Sequence, residues 1–132
     1  MAAPVELLQK VQLFAGLESR ELQSIASSMK ERTFPAGSTV TEEGHSGAGF
    51  FVIAEGEAEV SSHGEHRRDL GPGDHFGEIA LITETDRTAT IRAKTDLRCF
   101  GMTSWEFRPL VESNGTIAWK LLQSMGRMLR ND

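Results

Sequence analysis

The chain has 132 residues, enough for one domain with a buried core, and no apolar run approaches the ~20 residues of a membrane-spanning helix. Its 14 Lys and Arg against 19 Asp and Glu give a net charge of −5, which disfavours nucleic acid and anionic membranes as partners. The single cysteine, Cys99, excludes an internal disulfide and lies in an apolar pattern typical of a core residue. These features together predict a cytoplasmic protein.

Residues 4–30 are predicted to be helical. Val5, Leu8 and Val11 recur near the helical period, and Gly16 interrupts the pattern. A second segment follows, with one apolar face made of Leu22, Ile25, Ala26 and Met29. The turn at residues 35–37, Pro-Ala-Gly, marks the end of this helical periodicity.

The middle of the chain is predicted to form short strands separated by glycine turns. Residues 50–54 are a continuous apolar run, which is typical of a strand buried on both faces. Residues 57–61 and 89–94 alternate apolar with polar side chains, and residues 62–65 resemble a hairpin tip. This pattern predicts an antiparallel β roll over about residues 33–102, of the jelly-roll or cupin-like double-stranded β-helix type.

Helices are predicted again over about residues 103–130. Thr103 and Glu106 have the spacing of a capping box, and Asn114-Gly115 separates two helices. The apolar positions of the first helix are Trp105, Phe107, Leu110 and Val111. Those of the second are Ile117, Ala118, Leu121, Leu122 and Met125, and Trp119 is expected in the core. The sequence therefore predicts a single α+β domain over residues 1–132.

Residues 77–90 carry the chemistry of a sugar phosphate site. Gly77 allows a ligand close to the backbone, and Glu78 can accept two hydroxyl hydrogen bonds. Residues 78–82 can form one helical turn whose free N–H groups face an anion. Arg87 can donate to two phosphate oxygens. Glu78 and Arg87 could instead pair with each other, but their small and apolar neighbours favour a ligand site. One acidic residue for a sugar, Glu78, and one basic residue for a phosphate, Arg87, indicate a nucleotide of low charge.

The segment Phe76-Gly77-Glu78-Ile79-Ala80-Leu81, followed by Arg87-Thr88-Ala89-Thr90, resembles the phosphate-binding cassette of cyclic nucleotide-binding domains. This family includes regulatory subunits of cAMP-dependent protein kinase, cyclic-nucleotide-gated channels and the catabolite activator protein. Residues 13–17 and the turn glycines Gly44, Gly56 and Gly73 are also similar to the family pattern. The resemblance extends over nearly the whole chain.

The resemblance implies a role for each matched residue. Glu78 would accept the ribose 2′-hydroxyl. Arg87 would pair with the cyclic phosphate, helped by the backbone N–H groups of Ala80 and Ala89 and by the Thr88 hydroxyl. The binding residues implied are Phe76, Gly77, Glu78, Ile79, Ala80, Arg87, Thr88 and Ala89 in the cassette, Val60 and Arg68 beside the base, and Arg127 on a covering final helix. cAMP is the favoured ligand, and cGMP is the alternative because a threonine follows the cassette arginine.

Two other functions fit a β roll. A metal-dependent cupin enzyme needs three or four converging ligands, but His63 and His66 have the wrong spacing for one strand face. His75 and Glu78 span a turn without a further ligand, so no metal is expected. The second alternative is a protein-interaction module that has lost nucleotide binding. No nucleophile with a nearby base is evident, so we expect a sensor rather than an enzyme, with an effector domain or protein partner engaged through the C-terminal helices.

Overall fold

The computed structural model describes residues 3–42, 44, 49–83 and 89–130 of the chain. Within this part, helices flank a β roll at both ends. The N-terminal helical part contains α1 (Val5–Leu8), a 3₁₀ turn (Gln12–Phe14) and α2 (Ser19–Ser28). The strands are β1 (Lys30–Phe34), β2 (Thr39–Thr41), β3 (Phe50–Glu55), β4 (Ala58–Ser62), β5 (Glu65–Leu70), β6 (His75–Phe76), β7 (Thr90–Ala93) and β8 (Leu97–Met102). A 3₁₀ turn at Glu78–Leu81, α3 (Ser104–Glu112) and α4 (Gly115–Arg130) complete the order.

The described strands form two four-stranded antiparallel sheets. The first has the order β1-β8-β3-β6 and the second β2-β7-β4-β5. Apart from the β4–β5 hairpin, neighbours in each sheet are not consecutive in sequence, because the chain passes repeatedly between the two sheets. The predicted α+β fold, an antiparallel roll with helices at both ends, is therefore confirmed.

The strand β3 separates two apolar cores. Its side chains alternate, so Phe51 and Ile53 face the second sheet while Phe50 and Val52 face the helices. The roll core lies between the sheets and consists of Phe51, Ile53, Ala58, Val60, Leu70, Phe76, Ile91, Ala93, Leu97 and Cys99. The helical core joins the first sheet to the helices and includes Leu8, Leu13, Phe14, Ile25, Phe50, Val52, Leu81, Phe100, Phe107, Ile117 and Leu121. Burial on both faces explains the unbroken apolar run of residues 50–54 and confirms its prediction.

A capping box begins α3, and an ion pair attaches α4 to α2. Thr103 and Glu106 form the predicted capping box, in which the Thr103 N–H donates to Glu106 Oε1 at 3.0 Å. This bond is the main reason why the pKa of Glu106 lies below its ordinary value. On α4, Lys120 Nζ donates to Glu21 Oε1 of α2 at 2.8 Å.

The structure corrects several details of the sequence prediction. The first strand begins at Lys30, directly after α2, whereas helix was predicted to residue 30. Its side chains are almost all exposed, so no alternation marks it. Trp105 and Trp119 were predicted at apolar or core positions but are 82% and 62% exposed. Of the predicted apolar face of α4, Ile117 and Leu121 are buried, whereas Leu122 lies on the exposed side.

In the described ranges, no helix combines enough length with enough apolar character to cross a membrane.

Candidate functional site

The largest concentration of predicted site residues lies around one cavity of about 610 Å³. Its walls come from the second sheet and from the segment that runs from β6 into the Glu78–Leu81 turn. The lining residues are Thr41, Val60, Arg68, Leu70, Asp74, His75, Phe76, Gly77, Glu78, Ile79, Ala80, Ala89 and Ile91. This volume is in the range of pockets that hold small molecules.

One wall of the cavity is a row of side chains across the second sheet. Thr41 pairs with Ile91, Ile91 pairs with Val60, and Val60 pairs with Arg68. Cross-strand partners point to the same face, so the four residues form one continuous surface. The row changes from a buried hydroxyl through two apolar side chains to an exposed guanidinium. It therefore offers an apolar surface for a flat ring and a charged group at its rim.

The opposite wall depends on the backbone of Gly77. Its φ of 84° and ψ of 15° are in the left-handed region, which residues with a side chain rarely adopt. The chain reverses there, so Phe76 packs in the roll core while Leu81, at the end of the following turn, packs in the helical core. The turn at residues 78–81 consequently links the cavity wall to both cores.

Glu78 lies beside His75 in this wall. The two side chains are each 24% exposed, and His75 Nε2 lies 3.8 Å from Glu78 Oε2. The sequence analysis considered these two residues only as metal ligands that lack a third, and the structure shows that the reversal at Gly77 brings their side chains close together. The Glu78 carboxylate thus lines the cavity and keeps oxygen lone pairs available for donors from a ligand.

A family model described as the cyclic nucleotide-binding domain matches residues 31–114. The chain belongs to the cyclic nucleotide-binding domain family. The matched range covers the β roll from Glu31 onward and α3, and includes both walls of the cavity.

Known proteins support the same assignment. The chain is 42% identical over 93 residues to a cAMP-dependent protein kinase regulatory subunit of Schizosaccharomyces pombe; the match covers 70% of this chain but 23% of that subunit. The N-terminal domain of a transcriptional regulator from Streptomyces coelicolor superposes with a TM-score of 0.88 at 27% identity, over 95% of this chain and 93% of that one. The Thermus thermophilus catabolite activator protein gives a TM-score of 0.72 at 26% identity, over 91% of this chain and 59% of that one.

Eight of the eleven residues predicted for this cyclic nucleotide-binding domain line the cavity, namely Val60, Arg68, Phe76, Gly77, Glu78, Ile79, Ala80 and Ala89. Arg87 and Thr88 lie outside the described residues. Arg127 lies elsewhere, with its Nη2 donating to Ser124 Oγ at 3.1 Å on the side of α4 that faces Gly16. The distance of Arg127 from the cavity follows from the docking of α4 against the Gln12–Phe14 turn.

The turn departs in one respect from the predicted anion cradle. The N–H of Ala80 donates to the Gly77 carbonyl at 3.0 Å as the first hydrogen bond of the turn. The Ala80 N–H is therefore not a free donor in this conformation. A 3₁₀ turn bonds each N–H to the carbonyl three residues earlier, whereas an α-helix uses the carbonyl four residues earlier and would leave the N–H of its third residue free.

Sequence analysis missed five lining residues: Thr41, Leu70, Asp74, His75 and Ile91. Ile91 could have been found, because it belongs to the same alternating segment, residues 89–94, as Ala89. Thr41 carried no signal, although it is 5% exposed and its hydroxyl has no hydrogen-bond partner within the described part of the chain. Its place in the wall depends on pairing between strands fifty residues apart.

Two further groups bear on enzymatic alternatives. Glu59, His66 and Asp69 carry three potential metal-ligand atoms within 4.8 Å of one another, on the β4–β5 hairpin. Lys94 Nζ lies 3.2 Å from Asp69 Oδ2, so a cation already neutralises this carboxylate. The Cys99 thiol is fully buried, and burial raises its pKa to about 12, which keeps it protonated and unreactive, as expected of a core residue.

Proposed function

We propose that this chain is a cyclic nucleotide sensor that binds cAMP, with cGMP as the alternative ligand. The observation that supports the proposal is the convergence of eight predicted binding residues on one cavity in a chain of this family. Preference for cAMP draws on the similarity to a cAMP-dependent protein kinase regulatory subunit. The proposal treats residues 1–132 as one cyclic nucleotide-binding domain.

In the proposed complex, the cavity walls hold different parts of the nucleotide. Glu78 accepts the ribose 2′-hydroxyl, and Gly77 lets the sugar approach the backbone. Arg87 pairs with the cyclic phosphate, supported by the Thr88 hydroxyl and the Ala89 N–H. The base lies along the row of side chains, between Val60 and the Arg68 rim. An Ala80 N–H contact to phosphate would require the turn to loosen its bond to the Gly77 carbonyl.

The proposed output is a movement of α3 and α4. A ligand that draws Glu78 into the cavity also moves Leu81, and Leu81 packs in the helical core with Phe107 and Leu121. The nucleotide shifts the equilibrium between two arrangements of these helices. The size of the shift is set by the difference in its affinity for the two arrangements. Arg127 would reach the base only after such a movement, because α4 now lies against the N-terminal helical part.

The proposal includes a binding role rather than catalysis, and a cytoplasmic location. An effector domain or protein partner would respond through α3 and α4. Their exposed Trp105, Trp119 and Leu129 side chains support this part, since exposed large apolar groups are common at protein contacts.

Calorimetric titration of the purified chain with cAMP, and separately with cGMP, tests ligand binding. We expect saturable binding to one site, and the ratio of the two affinities measures the preference for the base. Tryptophan emission tests the helix movement in the same samples. The chain has two tryptophans and no tyrosine, and both tryptophans lie on the C-terminal helices, so emission reports those helices alone.

Arg87→Leu is the decisive variant, and Arg92→Leu is its matched control on the exposed face of β7. We expect Arg87→Leu to weaken binding by about 2–5 kcal/mol, the scale for truncating one member of a buried charge pair. Arg92→Leu should bind like the wild type. Equal affinity of Arg87→Leu and wild type would refute the assignment. No binding by a folded, nucleotide-free wild-type sample would favour the interaction module that has lost its ligand.

A further inference from the structure

The cavity wall contains a buried polar side chain whose hydroxyl is unpaired. Thr41 is 5% exposed, and its hydroxyl has no hydrogen-bond partner among the residues that the structure describes. A buried hydroxyl without a partner destabilises a fold, because it loses its bonds to water and gains none in exchange. Valine has nearly the same shape and would not carry this penalty. The described part of the folded chain therefore makes no use of the Thr41 hydroxyl.

Strand register places the Thr41 side chain on the inner side of the second sheet. Its partner on β7 is Ile91, which belongs to the roll core and lines the same cavity. Thr39, two residues earlier on β2, pairs with Arg92 and is exposed on the outer face. Cross-strand partners share a face, so Thr41 lies on the cavity side of the sheet and Thr39 on the solvent side.

Thr41 stands at the end of the row of side chains that is opposite Arg68. The strands β7 and β4 separate the two residues, which are therefore three strand spacings, about 14 Å, apart. The proposed position of the base is at the Arg68 end. The other end adjoins β7, and Ala89, whose N–H supports the phosphate in the proposed complex, directly precedes that strand. Thr41 thus lies at the phosphate end of the row.

We propose that the Thr41 hydroxyl donates a hydrogen bond to an exocyclic phosphate oxygen of the bound cyclic nucleotide. The inference rests on the proposed function of the cavity. The Thr41 oxygen is covered in this conformation. Rotation about the Cα–Cβ bond moves the hydroxyl to another staggered position, and within the described chain this rotation breaks no hydrogen bond of the hydroxyl. A hydroxyl that donates to a charged oxygen forms a stronger hydrogen bond than one between two neutral groups.

Calorimetric titration of the wild type and three variants with cAMP tests the contact. Thr41→Val removes the hydroxyl and keeps the shape, Thr41→Ser keeps the hydroxyl, and Thr39→Val is the matched control on the exposed face. We expect Thr41→Val to raise the Kd by about 5- to 20-fold, the scale of one hydrogen bond to a charged group. Thr41→Ser and Thr39→Val should bind nearly as the wild type does.

Urea unfolding of the same nucleotide-free proteins separates a ligand contact from a structural role. Thr41→Val should be more stable than the wild type, because it no longer buries an unpaired hydroxyl. Weaker binding by a more stable protein cannot result from a damaged fold. A loss of stability in Thr41→Val, or equal weakening of binding in Thr41→Val and Thr41→Ser, would assign Thr41 a packing role and overturn the inference.

The two phosphorothioate diastereomers of cAMP identify the ligand atom. Each carries sulfur, a weaker hydrogen-bond acceptor, in place of one exocyclic phosphate oxygen. The ratio of the Thr41→Val Kd to the wild-type Kd should be smaller for the diastereomer whose sulfur replaces the accepting oxygen. Ratios equal to that of cAMP for both diastereomers overturn the phosphate contact.

The titrations also distinguish this inference from the function on which it rests. Equal affinity of Thr41→Val and the wild type for cAMP overturns the inference while leaving the sensor function intact. No saturable binding by the wild type overturns the sensor function and this inference together.

Discussion

The roll core and the helical core differ in what they carry. The roll core forms the back of the cavity, because Val60, Phe76 and Ile91 belong both to this core and to the cavity wall. The helical core contributes one residue to the binding cassette, Leu81, and otherwise consists of helices and the outer face of the first sheet. A change in the roll core should therefore alter binding, whereas a change in the helical core should alter the response to binding.

The strongest test of this division compares Phe76→Ala with Phe107→Ala. Both rings are buried and contact another phenylalanine, so each change should lower the free energy of unfolding by about 3–5 kcal/mol. Phe76→Ala should also weaken cAMP binding, because Phe76 lines the cavity. Phe107→Ala should bind nearly as the wild type does. Urea unfolding and calorimetry measure the two quantities.

Partial truncations guard against loss of folding in that comparison. Phe76→Leu and Phe107→Leu keep most of the apolar volume and should show the same contrast with smaller losses of stability. Equal changes of affinity in the two leucine variants would contradict the division between the cores.

Leu81 connects the cavity wall to the helical core, and its truncation tests this connection. Leu81→Ala should lower the free energy of unfolding by about 2–4 kcal/mol, because the side chain is 4% exposed. Its effect on signalling should be separable from its effect on binding. We expect cAMP affinity close to that of the wild type but a smaller change of tryptophan emission on binding.

Ile82→Ala serves as the control for that experiment. Ile82 is the next residue and is 44% exposed, so its truncation should leave both stability and the emission change almost unaltered. An undiminished emission response in Leu81→Ala would mean that the helices respond through another route.

The same division shows what sequence could predict. Local patterns were sufficient for the continuous run in β3, the capping box at Thr103 and the cassette residues that line the cavity. Each of these depends on residues close together in sequence. The fold class followed from their order along the chain.

The remaining features depend on contacts between distant segments. The strand β1 is exposed and has no alternation, so only its pairing with β8 defines it. The position of Arg127 depends on where α4 docks, which no spacing within α4 encodes. His75 and Glu78 face each other only because Gly77 adopts a positive φ, a backbone choice that the sequence permits without requiring.

A polar attachment of the helical side provides a smaller test. Lys120 and Glu21 are 23% and 9% exposed, and Lys120→Met should lower the free energy of unfolding at pH 7 by about 1–2 kcal/mol, between the values for exposed and buried pairs. The hydrogen bond from Lys120 is the main cause of a lowered pKa at Glu21. Folding stability from this carboxylate is therefore complete above the ordinary pKa of about 4.5 and is lost as the pH falls through the lowered value.

Unfolding curves at pH 7 and pH 3 measure that pH dependence. The wild type should lose more stability than Lys120→Met between these two values, because the variant has less of the attraction to lose. Glu21→Gln/Lys120→Met is the control in which neither charge remains. A Lys120→Met variant with the same loss as the wild type would show that the pair contributes nothing to the attachment of α4.

The smallest effect is expected on the cavity side, at Thr41. Its hydroxyl is buried without a hydrogen-bond partner in the described residues, so the isosteric change Thr41→Val should raise the free energy of unfolding by about 1 kcal/mol. Thr39→Val, on the same strand but exposed, controls for the preference of valine for strands. The difference between the two variants in urea unfolding isolates the buried hydroxyl. A loss of stability specific to Thr41→Val would mean that this hydroxyl contributes a favourable interaction to the roll.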